Sequence, residues 1–195
     1  MTPCHRLPSI LAHGAILSWS ERQGRGIEEP EHEHYWGAEG RKEAFSDVVC
    51  CAFMAPWGML KQHGEEFAIV ILDAEGVCSL PGVLFCPTNS ARSDYTVDEI
   101  RAMSEIEAFE ACFPNPETYG AYKMAEIMVP SGVPLNHARG LIFCDNEARD
   151  YWVPALTQIS IPADLRPSAR LRVSVGQLDR FRFPGDYEVT LRVRP

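Results

Sequence analysis

The chain has 195 residues, of which 46% are hydrophobic and 23% are charged, and its formal net charge is −9. This composition excludes an intrinsically disordered chain, and the length accommodates a substantial core, so we expect a single domain over residues 1–195. The sequence has no uninterrupted apolar run of about 18 residues, and its start lacks the basic and apolar regions of a secretory signal. We therefore expect no membrane span and a cytoplasmic location.

Seven cysteines are present, an odd number, and most of them lie inside apolar runs without any C-x-x-C pair. This pattern predicts reduced core thiols rather than a disulfide framework or a zinc site. His32 and His34 are flanked by glutamates in the polar stretch over residues 20–46, but two ligands without a third nearby form a weak metal motif. We interpret that stretch as a long solvated loop and expect no metal site.

The first predicted element is a short helix over residues 5–18, with Leu7 and Leu11 on its inner face. Pro8 is suited to the first turn of this helix, and Gly14 is suited to its end. No residues ahead of the helix show the pattern of a strand, so the sequence predicts that the fold begins with the helix.

Continuous apolar runs predict three buried strands, at residues 47–53, 67–73 and 78–87. A turn at A-E-G follows the second strand, and the loop T-N-S-A-R-S follows the third. Residues 96–113 predict one amphipathic helix, which Thr96 caps with Glu99 three residues later and which P-N-P ends.

One charged residue interrupts the next apolar stretch, Y-K-M-A-E-I-M-V-P at residues 122–130. Its apolar residues predict a short buried strand, and Glu126 places a carboxylate within it. A buried carboxylate without a partner costs several kcal/mol, so Glu126 needs a partner, a strand end that faces a cleft, or a chemical role. The alternative interpretation is a glutamate that points outward from a half-exposed strand.

The remaining chain predicts a strand at residues 141–144, a helix start capped by Asp145, and C-terminal strands whose period-two alternation indicates half-buried antiparallel strands. Because side chains alternate between the two faces of a strand, paired arginines then form a basic sheet face, at positions 170 and 172, 180 and 182, and 192 and 194. That face is either a solvated outer surface whose arginine stems cover apolar atoms or a phosphate-binding surface. Rossmann, P-loop and G-x-S-x-G motifs are absent from the sequence.

Four segments, taken together and in this order, resemble the DarT family of nucleic-acid ADP-ribosyltransferases. They are L-P-S-I-L-A-H-G-A-I-L-S, D-V-V-C-C-A-F-M-A-P-W-G-M, V-L-F-C-P-T-N-S-A, and A-E-I-M-V-P-S-G-V-P-L followed by G-L-I-F. The resemblance extends over roughly residues 5–152. It implies an α+β protein with the split antiparallel-sheet ADP-ribosyltransferase fold and short flanking helices, in which two antiparallel sheets hold NAD in a cleft between them.

The resemblance also implies that Glu126 matches the catalytic glutamate of the family. Departure of nicotinamide leaves an oxocarbenium-like ribose, and a fixed carboxylate beside the ribose stabilises that positive charge in a site with little water. The nicotinamide pocket of the family maps onto Phe53, Trp57 and Met59, for which plain core packing is the alternative interpretation.

Two further cofactor contacts are implied by the family pattern. An arginine of the long loop helps to engage the cofactor and the target base, and Arg22, Arg25 and Arg41 compete for that role, of which we favour Arg41. Family members open with a strand whose histidine holds the NAD ribose, whereas M-T-P-C stands in that place here. His5, at the start of the predicted helix, is the nearest imidazole.

The implied activity is that of a toxin-like NAD-dependent enzyme whose acceptor is a base, thymine or guanine, in single-stranded DNA. Arg92 and Arg139 are candidate phosphate contacts, and a macrodomain-type antitoxin is the expected partner. The net negative charge argues mildly against nucleic acid. One alternative is therefore the same chemistry on RNA or protein, and another is a non-enzymatic binding or immunity-type protein whose arginine-rich C-terminal sheet docks an acidic partner.

Overall fold

The computed structural model describes residues 1–27, 44–53, 62, 64–90, 95–112, 125–163, 170–175, 188–190 and 192–193. Its strands are β1 (Thr2–Pro3), β2 (Ala15–Leu17), β3 (Val48–Ala52), β4 (Phe67–Leu72), β5 (Leu84–Cys86), β6 (Glu126–Pro130), β7 (Gly132–Pro134), β8 (Ala138–Phe143), β9 (Ser160–Ile161), β10 (Arg170–Val175), β11 (Glu188–Thr190) and β12 (Arg192–Val193). Its α-helices are α1 (Leu7–His13), α2 (Trp19–Gly24), α3 (Ala74–Cys78), α4 (Val97–Arg101), α5 (Ile106–Ala111) and α6 (Asn146–Leu156). Short 3-10 helices lie at Cys4–Arg6, Gly64–Glu66 and Leu135–His137.

The chain forms two compact units. The first comprises Met1–Ile16, Ala55–Asp73 and Pro134–Pro195, and the second comprises Leu17–Met54 and Ala74–Val133. Because one domain can contain two such units, the single domain expected over residues 1–195 stays a prediction.

A mixed sheet organises the first unit, with the strand order β1-β4-β8-β10-β11. Most neighbours are antiparallel, but β10 runs parallel to β8, and β12 runs parallel to β9 in a separate pair. Parallel neighbours need a crossover connection, and α6 lies between β8 and β10 in the chain. The expectation of purely antiparallel C-terminal strands was therefore right for the pair β10 and β11 and wrong for these two parallel pairs.

Apolar side chains cover both faces of strands β4 and β8. On one face, Ala68 and Leu141 belong to a core that also includes residues of α1 and α6. On the other face, Phe67, Ile69 and Ile142 form a smaller cluster.

The basic face expected of the C-terminal strands is seen at one position. In β10, Leu171 and Val173 are buried while Arg172 is exposed, which confirms the alternation there. Arg180, Arg182 and Arg194 lie outside the described residues.

A strand precedes the first helix, so the prediction that the fold begins with that helix was wrong. Thr2 and Pro3 pair antiparallel with Ala68 and Phe67 at the edge of β4. A two-residue strand is too short to show an alternating pattern, and only the partner strand reveals it. Gly14 ends α1 as predicted, in a left-handed conformation with φ of 70°. The rest of the region predicted as helix, from Ala15 onward, begins with β2 instead.

The second unit contains an antiparallel sheet with the order β3-β6-β5, so β6 is its central strand. One face of this sheet contributes to an apolar core. The buried residues of this core are Phe45, Val48, Leu84, Cys86, Ile100 and Met128. Ile100 belongs to α4, so the core joins that helix to the sheet. The apolar runs had predicted strands at β3, β4 and β6, and these are confirmed.

Two predicted elements of this unit differ from the structure. The strand expected at residues 78–87 is confined to Leu84–Cys86, and the A-E-G turn is the start of α3. The helix expected at residues 96–113 is divided into α4 and α5. The carbonyl oxygen of Met103 accepts a hydrogen bond from the backbone nitrogen of Phe85 at 2.7 Å, and this tertiary contact takes the chain out of the helix.

Local signals at helix starts are confirmed. Thr96 and Glu99 form the reciprocal capping box of α4. Asp145 caps α6, where its side chain accepts a hydrogen bond from the backbone nitrogen of Ala148 at 2.8 Å.

All seven cysteines are free thiols in this structure, and Cys4, Cys86 and Cys112 are buried. Among the residues that the structure describes, no helix combines the length and the apolar character that crossing a membrane requires.

Candidate active site

Glu126 is the first residue of the central strand β6. The register places it between Ala52 of β3 and Cys86 of β5. Because side chains alternate along a strand, Glu126 lies on the same face as Met128, which is fully buried in the apolar core. The carboxylate therefore lies where this core face ends, and the residue is partly buried.

Two neighbouring residues hold the two carboxylate oxygens. The side-chain nitrogen Nδ2 of Asn89 donates a hydrogen bond to Oε1 of Glu126 at 3.2 Å. The backbone nitrogen of Ser90 donates to Oε2 at 2.9 Å. Both donors belong to the turn that follows β5, so the carboxylate has the partners that its burial requires. It does not point outward from a half-exposed strand.

The ionisation of Glu126 reflects opposing effects. Burial raises the pKa of Glu126 above its ordinary value, and hydrogen bonds from the side chain and backbone of Ser90 oppose that rise. Burial prevails, since the pKa lies above the ordinary range. The negative charge is therefore incompletely stabilised by the protein, and a positive charge close to the carboxylate would be strongly favoured.

Two thiols in β3 lie near this carboxylate. The Sγ atom of Cys50 is 3.8 Å from Oγ of Ser90. Burial, together with the charge of Glu126, raises the pKa of Cys50 well above its ordinary value, and burial raises the pKa of Cys51 to about 12. Because the thiolate rather than the thiol is the nucleophile, neither cysteine is activated for nucleophilic attack. The carboxylate is the chemically distinctive group at this end of the sheet.

Phe53 directly follows β3 and pairs with Ala125, the residue before Glu126. Its backbone nitrogen donates a hydrogen bond to the carbonyl oxygen of Ala125 at 3.2 Å, which extends the pairing of β3 and β6 by one residue. Phe53 is partly buried. Of the other predicted residues for this region, Arg41, Trp57, Met59 and Arg92 lie outside the described residues.

Two predicted site residues belong to the first unit. His5 is partly buried in the 3-10 helix Cys4–Arg6, directly after β1. Arg139 of β8 is exposed and forms an ion pair with Asp73, with 2.7 Å between Nη2 and Oδ2, while Nη1 donates to the carbonyl oxygen of Asn136 at 2.8 Å. A phosphate would therefore compete with Asp73 for this guanidinium.

The two other arginines that compete with Arg41 lie around α2. Arg22 is within the helix and partly buried, and Arg25 follows the helix and pairs with Glu21 at 3.4 Å.

Sequence reasoning missed Asn89 and Ser90 as partners of Glu126. The available signal was the run of polar residues T-N-S, which follows the apolar strand β5 after Pro87. The first residue of this run, Thr88, has a buried hydroxyl that makes no hydrogen bond within the part of the chain that the structure describes. The same part of the chain contains no group of three His, Cys, Asp or Glu side chains able to hold a metal ion.

No protein-family model and no curated protein sequence matches this chain. Solved structures do match it. Thermus sp. 2.9 DarT in complex with NAD+ superimposes with a TM-score of 0.57 at 17% identity, over 90% of this chain and 92% of that one. The same DarT in complex with ADP-ribosylated single-stranded DNA superimposes with a TM-score of 0.57 at 16% identity, over 90% of this chain and 91% of that one.

A third structure, Thermosipho africanus DarTG in complex with ADP-ribose, matches with a TM-score of 0.56 at 18% identity. The match covers 89% of this chain and 47% of the DarTG chain. At such identities the likeness establishes the fold, and it agrees with the resemblance carried by the four sequence segments. The chain has the DarT-type ADP-ribosyltransferase fold.

Proposed function

We propose that this protein is an NAD-dependent ADP-ribosyltransferase that modifies a base in single-stranded DNA, with Glu126 as its catalytic carboxylate. The observation that carries the proposal is the carboxylate of Glu126, held at both oxygens at the end of the central strand in a DarT-type fold. The solved structures with this fold include DarT bound to NAD+ and DarT bound to ADP-ribosylated single-stranded DNA, and they support the choice of both substrates.

Glu126 supplies negative charge where the reaction develops positive charge. The bond between the nicotinamide nitrogen and the ribose breaks, and its electron pair leaves with nicotinamide. The ribose carbon becomes cationic and then bonds to the acceptor base, which releases a proton. A fixed carboxylate beside the ribose lowers the barrier of this step, and one such preorganised group is typically worth about 3 kcal/mol.

The raised pKa of Glu126 fits this role. A carboxylate that the protein stabilises incompletely interacts more favourably with the cationic ribose of the transition state than a carboxylate that is already neutralised by an arginine or a lysine. Within the described residues, the donors to Glu126 are the uncharged groups of Asn89 and Ser90.

The remaining site assignments stay proposals. Phe53, which pairs with Ala125 at the end of the sheet where Glu126 lies, is proposed to line the nicotinamide pocket together with Trp57 and Met59. Arg41 is proposed to engage the cofactor and the base, and His5 the NAD ribose. Arg92 and Arg139 are proposed to contact phosphates, which for Arg139 requires exchange of its Asp73 partner.

Incubation with NAD labelled in its adenylate part tests the acceptor. Single-stranded DNA oligonucleotides that each contain one type of base are compared with the matching RNA oligonucleotides and with duplex DNA. The proposal predicts label on one type of base in single-stranded DNA. Label on RNA or on protein alone would refute the DNA acceptor while preserving transfer from NAD, and an absence of NAD turnover with every acceptor would refute the activity itself.

Thermal unfolding with and without NAD distinguishes the enzyme from a non-enzymatic binding protein. A ligand at a hundred times its dissociation constant adds about 2.7 kcal/mol to the free energy of unfolding, which raises the melting temperature measurably. The enzyme responds to NAD in this way, and an adaptor with no nucleotide site does not.

We further propose that the protein acts as a toxin paired with an antitoxin, and the match to DarTG supports this role. If the product is ADP-ribosylated DNA, a macrodomain-type glycohydrolase should remove the label and regenerate the unmodified oligonucleotide. Label that resists such an enzyme under conditions where it releases ADP-ribose from a reference substrate would contradict a macrodomain antitoxin as the partner.

A further inference from the structure

We propose that Asn89 is a positioning residue for Glu126, which fixes the carboxylate in the orientation that the transfer reaction requires. The inference rests on the proposed catalytic role of Glu126. It goes beyond that role because it assigns a function to a residue of the turn after β5, 37 residues away in the sequence.

The geometry of the carboxylate supports this assignment. The terminal torsion of a glutamate side chain is broad, so a carboxylate held at one oxygen can still rotate about its last carbon–carbon bond. Here Oε1 accepts from Asn89 and Oε2 accepts from the backbone nitrogen of Ser90. Two donors at the two oxygens stop that rotation and define which lone pairs remain for a substrate.

The two donors differ in whether they depend on the type of residue at their position. Any residue except proline at position 90 offers a backbone N–H, whereas the donor to Oε1 exists only because residue 89 carries an amide. Asn89 is therefore the residue whose side chain supplies the 3.2 Å hydrogen bond to Oε1, beside the hydrogen bonds that Ser90 donates to the same carboxylate.

A neutral amide suits this purpose better than a cation. An arginine or lysine at position 89 would fix the carboxylate equally well, but it would also neutralise the charge that stabilises the cationic ribose. The side-chain amide of asparagine directs the carboxylate and leaves its net charge available.

The ionisable groups that flank Glu126 do not provide an alternative explanation. Cys50 of β3 is near it, Cys51 is the next residue of that strand, and Cys86 of β5 stands opposite it in the register. Burial raises the pKa of both Cys50 and Cys51, so these thiols of β3 are neutral over the pH range in which a glutamate ionises. The turn contributes the uncharged side chains of Thr88, Asn89 and Ser90.

Asn89→Leu is the informative variant, because leucine is close to asparagine in size and branching and has no donor. We expect kcat for labelling of the DNA acceptor to fall by about 10- to 100-fold, as for a misplaced catalytic group, with little change in KM for NAD. Loss of a donor to the ionised carboxylate also raises the pKa of Glu126, so the acidic limb of the plot of kcat against pH should move to higher pH. Asn89→Gln, which keeps an amide, should restore part of kcat.

Asn146→Leu is the matched control, since Asn146 is exposed at the start of α6. It should leave kcat and the pH profile unchanged. A loss of kcat in Asn89→Leu with an unmoved acidic limb and a lowered melting temperature would indicate a merely structural residue and overturn the proposal. Unchanged kcat and an unchanged limb would overturn it as well.

A titration of the Glu126 carboxyl by carbon-13 NMR separates this inference from the proposed function, because it needs no activity. The carboxyl of Glu126 should titrate at higher pH in Asn89→Leu than in the wild type. That result in a protein without transferase activity would establish the contact and refute the function. Identical titrations in the two proteins would refute the contact, whatever the activity.

Discussion

The carboxylate of Glu126 lies 2.9 Å from the backbone nitrogen of Ser90, and this contact joins the central strand β6 to the turn after β5. The hydroxyl of the same serine lies 3.8 Å from the thiol of Cys50 in β3. Ser90 thus links all three strands of the sheet at the point where the apolar core ends. The fold places a charge beside an apolar core and surrounds it with neutral donors, which is an arrangement suited to stabilising a cation.

The raised pKa of Glu126 predicts how its contribution to stability depends on pH. Because the folded protein binds the carboxyl proton more tightly than the unfolded chain does, ionisation of Glu126 destabilises the fold. This penalty is absent below the ordinary carboxyl pKa, grows as the pH rises, and is complete above the raised pKa of the folded state. The wild type should therefore lose stability relative to Glu126→Gln as the pH increases.

Chemical denaturation of both proteins between about pH 4 and pH 8 measures this difference. A difference in the free energy of unfolding that stays constant with pH, or that moves in favour of the wild type, would contradict the raised pKa.

A second prediction concerns Arg101 of α4, which binds Asp47 through two hydrogen bonds of 2.6 and 3.1 Å and lies 5.3 Å above the ring of Phe45. The hydrogen bond from Arg101 is the largest cause that lowers the pKa of Asp47. Arg101→Met should reduce the free energy of unfolding by about 1 kcal/mol, a figure discounted for exposure of the pair, whose side chains are 34% and 53% exposed.

The loss in Arg101→Met should be largest at neutral pH and should decrease as the pH falls through the lowered pKa of Asp47, where the wild type loses the interaction with that carboxylate but keeps the hydrogen bond from Arg101 to the carbonyl oxygen of Ala44. Arg25→Met is the matched control, because Arg25 pairs with Glu21 on an exposed helix surface and should change stability by only about 0.5 kcal/mol or less. Equal losses in the two variants would contradict the importance of the Asp47 pair.

Much of the second unit could be predicted from the sequence because its signals are local. The apolar runs of β3 and β6 and the capping box of Thr96 each depend on residues within a few positions. The partners of Glu126 could not be predicted in the same way, since Asn89 and Ser90 are brought to it by the register of β5 against β6. The break between α4 and α5 likewise depends on Met103 accepting a hydrogen bond from Phe85.

The first unit was harder to predict, because its pairings are long-range. The apolar alternation in β10 indicated a strand, but the parallel pairing with β8 depends on the crossover through α6. Thr2 and Pro3 acquire their strand conformation only from β4. Glu126 could be singled out beforehand because a carboxylate within an apolar strand is costly wherever the strand is placed.

The parallel pairing of β8 and β10 leads to a third prediction, at Gly140. A Cβ atom at this position would lie 2.8 Å from the carbonyl oxygen of Arg172, which is backbone and has little freedom to move. Gly140→Ala should therefore lower the free energy of unfolding by about 1–3 kcal/mol, as other overpacked substitutions do.

Gly24→Ala provides the comparison, because Gly24 ends α2 and a Cβ atom there would have no neighbouring atom within 4 Å among the described residues. Alanine there should be neutral or should stabilise the protein by up to about 1 kcal/mol. Thermal unfolding of both variants decides the matter, and a Gly140→Ala protein as stable as the wild type would contradict the close approach of the two strands.

A fourth prediction concerns Thr88, whose buried hydroxyl has no hydrogen-bond partner among the described residues. Thr88→Val keeps the shape of the side chain and removes the hydroxyl, so it should leave stability unchanged or raise it by about 1 kcal/mol. The melting temperature of this variant tests the prediction. A loss of more than about 1 kcal/mol would show that the hydroxyl does have a partner.

The most direct test of the catalytic role of Glu126 is the rate of ADP-ribose transfer to single-stranded DNA by the wild type, Glu126→Gln and Glu126→Asp, measured beside their melting temperatures. We expect both variants to fold and to lose at least about 100-fold in kcat, because glutamine removes the charge and aspartate withdraws it from the ribose by one methylene. A folded Glu126→Gln protein that transfers ADP-ribose at the rate of the wild type would contradict the central claim.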